Sequence, residues 1–251
     1  MKGDSRIRGA FNWSISLNYR ISALNILKMR VLEQVPKASS EFEEAKKSMK
    51  ARPLKEYVEL AVMYEAFLNS VYSLFENISH FVRLVYPSKN LAWGFSKQKK
   101  KFLNNKDLDE TYSEILKKTK WYDEINRARA EIAHFLFGLV TISDSSGLGY
   151  LIPNPQNRRA GTPERIKINS IEQHVKQTLT NVNQFLKEFA DHFLKIIDQN
   201  SRTTFVCISS SDTVMGARSY SLKEYLNGGH GVCEHGWQNC SEIDFCRAKK
   251  S

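Results

Sequence analysis

Glycine and proline are scarce in this chain, 12 and 6 of 251 residues, which sets aside collagen-like, proline-rich and blade-repeat all-β architectures. Cysteine is rarer still. The four cysteines, Cys207, Cys233, Cys240 and Cys246, all follow residue 206, so no disulfide framework can staple the long body before them. No apolar run approaches the ~18 residues that cross a bilayer. After the charged stretch Met1 to Gly9, the residues Asn12, Ser14, Ser16 and Asn18 interrupt the apolar positions, so the compact apolar centre of a signal peptide is missing. The expectation is a cytoplasmic chain with no membrane partner. Walker, dinucleotide-fold, nucleophile-elbow and kinase signatures are absent as well.

What the chain does have is 41% hydrophobic and 25% charged residues, a globular composition that argues against disorder. Helix-forming Leu, Lys, Glu and Ala recur throughout, and a mainly α protein is expected. Lys and Arg number 37 against 27 Asp and Glu, a net charge of +10. Such an excess suits a polyanionic partner, because each cation laid on a phosphate releases condensed counterions.

Residues 11 to 21 alternate apolar and polar, as a half-buried strand does, whereas Ala23 to Val35 has helical spacing. The start of the chain is therefore open between strand and helix. Ser39 or Ser40 before Glu41, Glu43 and Glu44 predicts an N-cap and a helix over 40 to 51. Pro53 then opens a long element whose apolar residues, Leu54, Val58, Ala61, Val62, Leu68, Val71, Phe75, Ile78 and Val82 among them, keep helical spacing until Pro87. Further helices are expected at 107 to 119, from Trp121 to about Val140, and at 171 to 198. The Ser, Gly, Pro and Asn-rich stretch 143 to 163 predicts a long loop excursion. The domain reading is an N-terminal segment over 1–52, an up-and-down helical bundle over 53–200, and a tail over 201–251 with a short β-prone run and then Cys and His.

The segment from Trp121 to Phe135 carries the most chemistry. At about 100° per residue, Ile125, Ala128, Ile132, Leu136 and Leu139 form the core face, while Arg127, Glu131, His134 and Gly138 gather on the opposite side. Glu131 lies four residues after Arg127 and three before His134, so the three side chains can touch. An imidazole that titrates near neutrality beside a guanidinium is a minimal apparatus for RNA cleavage: one moves protons, the other steadies charge building on phosphorus. An ordinary exposed face of surface pairs, worth a few tenths of a kcal/mol, has the same composition.

Arg129-Ala-Glu-Ile-Ala-His134 matches the Arg-x4-His form, and Arg127 to His134 the Arg-x6-His form, of the motif that marks HEPN domains, and the chain resembles that family over residues 54 to 198. The lead-in Asp-Glu-Ile-Asn-Arg and the following Phe135 are also similar to it; Ala130 follows Arg129 where the family often carries Asn. The resemblance implies a small α-helical bundle of HEPN type, a homodimer, and metal-independent endoribonuclease activity with RNA as substrate. It also implies the role of a toxin or antiviral effector, with an antitoxin or regulatory protein as a further partner. A non-catalytic binding module for RNA, a nucleotide or a protein is the alternative. His134 would be the acid/base. Family spelling favours Arg129 for the phosphate, whereas projection favours Arg127, since Arg129 lies about 140° from His134 around a straight helix.

Supporting residues follow from position. Glu131 shares the motif face, and Glu76 on the long preceding helix could pair with a motif arginine. Lys97, Lys99, Lys100 and Lys101, with Lys106, could guide an RNA backbone, with Trp93 and Phe95 as stacking surfaces; a solvated charged loop is the plainer reading of that run. His80 and His192 read as core-edge or surface histidines. The tail's His230, Cys233, His235, Cys240 and Cys246 supply enough soft ligands for one structural zinc, although the spacings match no familiar finger; catalysis itself would require no cofactor.

Overall fold

The computed structural model describes residues 4–48, 54–134, 138–143, 147–152, 166–196, 202–208, 214–221, 232–235 and 249–250; for 4–15, 106, 134, 143 and everything after 200 the description is of the backbone alone. The described residues are mainly helical. The chain divides into two compact units, Met1–Phe189 and Ala190–Ser251.

The first unit begins with one uninterrupted helix, α1 (Asp4–Ser48). The alternating run 11 to 21 is helical, and no helix starts at 40. Ser39 does not cap: its hydroxyl donates to the Val35 carbonyl one turn back, 3.0 Å away, the in-helix alternative open to serine. Pro36 sits inside α1 on an exposed position, where its missing N–H leaves a carbonyl facing water rather than the core. Glu41, which looked like a first-turn acid of its own helix, caps another. Its carboxylate accepts from Lys55 N at 3.0 Å and Glu56 N at 2.8 Å, closing the N-terminus of α2 (Lys55–Val85), whose own cap residue Leu54 has no side chain able to do so. Gln34, 1% exposed, fastens the same pair of helices by donating to the Glu56 carbonyl at 3.2 Å and carboxylate at 2.5 Å.

α2 is the central strut. Leu60, Tyr64, Phe67, Leu68, Val71, Phe75, Ile78 and Val82 are buried, whereas Val58 and Val62 are exposed, so the first half of the helix is rotated from the stripe the spacing suggests. Packed on α2 are α3 (Phe95–Asn104) and α5 (Lys120–His134), with α4 (Glu110–Lys117) against α3, followed later by α6 (Ile171–Ile196). Phe75 centres an aromatic cluster, its ring 4.6–4.9 Å from those of Tyr122, Phe95 and Phe185. Three helices and α2 thus converge on one ring. α4 starts where Asp109 accepts from Tyr112 N at 2.8 Å, a conventional acidic N-cap.

α5 ends at His134 instead of running on to Val140. β1 (Leu139–Ser143) pairs antiparallel with β2 (Gly147–Ile152), and β2 with β3 (Ile166–Ile168). Part of the expected loop excursion is therefore a three-stranded sheet, and two glycines explain why. A Cβ on Gly138 would lie 2.0 Å from Tyr150 Cζ, and one on Gly149 would lie 2.5 Å from the Ile168 carbonyl oxygen. Their value is close approach rather than flexibility. Leu139, assigned by projection to the core face of a continuing helix, is exposed on β1, while Ile125 and Ala128 are buried as expected.

In the second unit, the described backbone after 200 forms a sheet in the order β4 (Arg202–Ile208), β5 (Val214–Ser221), β6 (Val232–His235), β7 (Lys249–Lys250), the first two pairings antiparallel and the last parallel. The β-prone run is β4, and the tail after it contributes β5, β6 and β7.

Candidate functional site

The two motif arginines leave α5 towards different surroundings. Arg129 turns to α2: its guanidinium carbon sits 4.2 Å from the centroid of the Tyr72 ring, a cation–π contact. Glu76, one turn along α2, hydrogen-bonds Tyr72 and is close enough to Arg129 to feel its charge. The same carboxylate accepts from Phe95 N at 3.2 Å, at the start of α3, where the cap residue is Gly94. Burial pushes the Glu76 carboxyl above its usual range, and the Phe95 N–H, Arg129 and Tyr72 pull it part of the way back. Glu76 thus joins three helices.

Arg127 points elsewhere. With Glu124, Ile125 and Ala128 it forms the α5 wall of a recess of about 230 Å³, closed on the other sides by Tyr64 and Leu68 of α2, by β3, and by His174 of α6. Lys167 of β3 is the second cation on its lining. Among the described residues, the Nε atoms of Arg127 and Arg129 and Oε2 of Glu131 are buried without hydrogen-bond partners, a costly state unless a ligand or neighbouring group supplies one. His134 is the last residue of α5, and its side chain lies outside the described residues.

His174 and Tyr64 form a pair that the sequence did not disclose. The Tyr64 hydroxyl and His174 Nδ1 are 2.7 Å apart. Burial lowers the His174 pKa to about 4 and raises that of Tyr64, so at neutral pH both are uncharged. Each residue occupies the apolar stripe of its own helix, and the only available signal was a histidine standing where a hydrophobe would fit.

The lysine run is helical and its members differ. α3 buries Phe95, Gln98, Lys99 and Phe102, a helical stripe that takes in one lysine. Lys99 Nζ lies 2.7 Å from the Asp123 carboxylate and 3.0 Å from the Thr119 carbonyl, so its charge holds α5 rather than a polyanion. Lys101 donates to the carbonyls of Lys89 and Asn90 at 2.7 and 3.0 Å, tying down the short 3-10 turn Pro87–Lys89. Lys97 and Lys100 are exposed; the Lys106 side chain lies outside the described residues. Phe95 is fully buried and offers no stacking face, whereas Trp93 is 66% exposed with the Arg83 guanidinium 3.3 Å from its ring centroid. His80 packs beside the same indole at 5.2 Å, and burial together with Arg83 lowers its pKa. His192 is buried, its ring 5.0 Å from that of Phe193.

Of the possible zinc ligands, Cys233 and His235 stand one residue apart on β6, while His230, Cys240 and Cys246 lie outside the described residues. Among the described residues no group of three or more His, Cys, Asp or Glu is placed to hold a metal, and no helix is long and apolar enough to cross a membrane. No family model matches the chain, and no curated protein or solved structure matches it either.

Proposed function

We propose that the chain is a metal-independent endoribonuclease of HEPN type, acting as a homodimer, with α5 as the catalytic helix. The observation that carries this reading is Arg127: a half-buried guanidinium whose Nε has no partner among the described residues, lining a recess beside a second cation, seven residues before the histidine that ends α5. A phosphate is the group that such a pair of cations satisfies. In the reaction, the ribose 2′-oxygen attacks the adjacent phosphorus and the bond to the 5′-oxygen breaks. The 2′-hydroxyl proton passes to His134 and is delivered to the leaving 5′-oxygen, giving a 2′,3′-cyclic phosphate and a 5′-hydroxyl. Arg127 steadies the charge on phosphorus. Arg129 and Glu76 act as positioning residues that hold α5 on α2, and Lys97 and Lys100 supply sequence-independent attraction for the RNA backbone. A toxin or antiviral effector of this kind requires a neutralising partner protein.

Purified protein is expected to cleave RNA in the presence of EDTA, His134→Ala to abolish cleavage, and Arg127→Ala to lower it at least 100-fold with little change in thermal stability. Arg129→Ala is expected to lower stability and activity together, because it removes the Tyr72 and Glu76 contacts. Undiminished cleavage by His134→Ala overturns the site. RNA retention that weakens with salt, without cleavage, identifies the binding-module alternative instead.

A further inference from the structure

We propose that the open edge of β1 is where a second copy of the chain docks, strand against strand about a two-fold axis. Among the described residues β1 and β3 are the outer strands of their sheet, and the two edges are not alike. β3 is three residues long with the exposed Lys167 at its centre, short and charged as solvent-facing edges are. β1 is five residues, Leu-Val-Thr-Ile-Ser, and pairs with β2 without a break in register. It carries no charge, no proline and no bulge. Such an edge holds out a row of N–H and C=O groups as a template for another strand.

The side chains agree with the backbone. Tyr150 of β2 is fully buried against Tyr64 of α2, so its face of the sheet is the inner one, and Val140, Ile142 and Leu148 share it by register and alternation. Leu148 is 5% exposed, whereas Ile142, opposite it on the edge strand, is 40% exposed. The covered layer stops at β1, and α2 is left bare beside it. Glu65 of α2 receives the N–H of Gly138, which leads into β1, and one and two turns earlier on that helix face stand Val62 and Val58, both more than half exposed. With Leu139 and Ile142 they leave on the order of 300 Å² of apolar surface, in the range where the largest patch on a monomer is often functional. β1 of a second copy supplies the missing strand. Being uncharged, the two edges meet without like-charge repulsion in a chain of net charge +10, and antiparallel pairing about a two-fold at Thr141 sets Val140 of each copy against Ile142 of the other. Two such patches with the paired backbones bury on the order of 1,000 Å², the lower end for a specific interface. The inference rests on the reading of the chain as a homodimer, whose seam it names, and is independent of RNA cleavage.

Sedimentation equilibrium of the full chain tests it. The wild type is expected to be a dimer that dissociates in the micromolar range. Leu139→Lys with Ile142→Lys is expected to weaken the dimer at least 10-fold, and Leu139→Glu with Ile142→Glu to do the same. An equimolar mixture of the two variants is expected to recover it, because opposite charges then face each other across the axis. Val62→Glu, exposed on a helix, is expected to weaken the dimer as well and keeps the test open if the strand variants fail to fold. Ile26→Lys replaces an exposed apolar residue of α1 and is expected to leave the dimer intact. A chain that stays monomeric up to about 100 μM overturns the proposal and the homodimer reading together. A dimer that survives the edge variants and Val62→Glu, or that Ile26→Lys alone dissociates, overturns the proposal and leaves the homodimer reading in place.

Discussion

The Tyr150 hydroxyl donates to the Glu65 carboxylate, tying β2 to the middle of α2, and both groups receive Gly138 N, at 3.0 Å from the phenol oxygen and 3.1 Å from the carboxylate. Gly138 lies four residues past the end of α5. The clamp therefore anchors the residue that leads into β1. Burial, then the Glu65 hydrogen bond and charge, raise the Tyr150 pKa, and the Gly138 N–H opposes this in part; the phenol is a neutral donor at neutral pH.

Gly138→Ala tests the clamp. The added methyl would fall 2.0 Å from Tyr150 Cζ, so the ring or the backbone must move, at a cost of about 1–3 kcal/mol. Thermal unfolding followed by circular dichroism is expected to show a fall of several degrees. Tyr150→Ala removes the obstacle, so the double variant is expected to lose clearly less stability than the sum of the two single losses. Additive losses would mean that the two residues do not press on one another.

The interior of the bundle was legible where one helix face decides the matter. Ile125 and Ala128 on α5, and Val175, Val182 and Phe185 on α6, are buried as their spacing requires. Ends and partners were not. Glu41 and Ser39 were the acid and the cap of a local helix start by every short-range rule, but Ser39 bonds back to Val35 within α1, and the role of Glu41 depends on α2 lying alongside, a contact across 14 residues that leaves no periodic trace. Leu139 fitted helical projection until Gly138 met Tyr150. Arg127 and Arg129 could not be separated because helical angle says which way a side chain leaves the helix and not what stands there: Tyr72 in one case, Lys167 and His174 in the other. The Tyr64–His174 pair joins two apolar stripes, and its polarity becomes visible only when they pack.

The lysines of α3 divide by burial, and the division is measurable. Lys99→Met takes away the buried ammonium that donates to the Thr119 carbonyl and pairs with Asp123; Tyr122 N still donates to that carbonyl at 3.1 Å, so the loss is of one charged hydrogen bond and the ion pair, at a cost on the order of 1–3 kcal/mol. Its retention on immobilised RNA is expected to match that of the wild type once both are folded. Lys97→Glu with Lys100→Glu is expected to do the reverse: a melting temperature close to the wild type, weaker retention, and a slope of log affinity against log salt shallower by about 2. Equal RNA effects from the two variants would show that burial does not sort these charges.

His174 makes stability depend on pH in a window that its environment sets. Unfolded, the imidazole takes its proton near pH 6.5; folded, burial beside Tyr64 lowers that value to about 4. Above pH 6.5 the ring is neutral in both states and contributes no slope. As pH falls from 6.5 towards 4 the unfolded chain binds the proton first, so the folded state loses stability, to a ceiling of about 3 kcal/mol, and the loss levels off below pH 4. Burial is the cause of the shift; Arg127, Lys167 and Glu124 line the same recess as the ring. Urea unfolding at pH 7.5, 6.0, 5.0 and 4.5 is expected to show this decline in the wild type. His174→Gln is expected to start less stable at pH 7.5, having lost the Tyr64 partner, and to decline less steeply, so that the two curves converge as the pH drops. Parallel curves would mean that His174 keeps its ordinary affinity for protons in the fold, and that the recess is wetter than its walls imply.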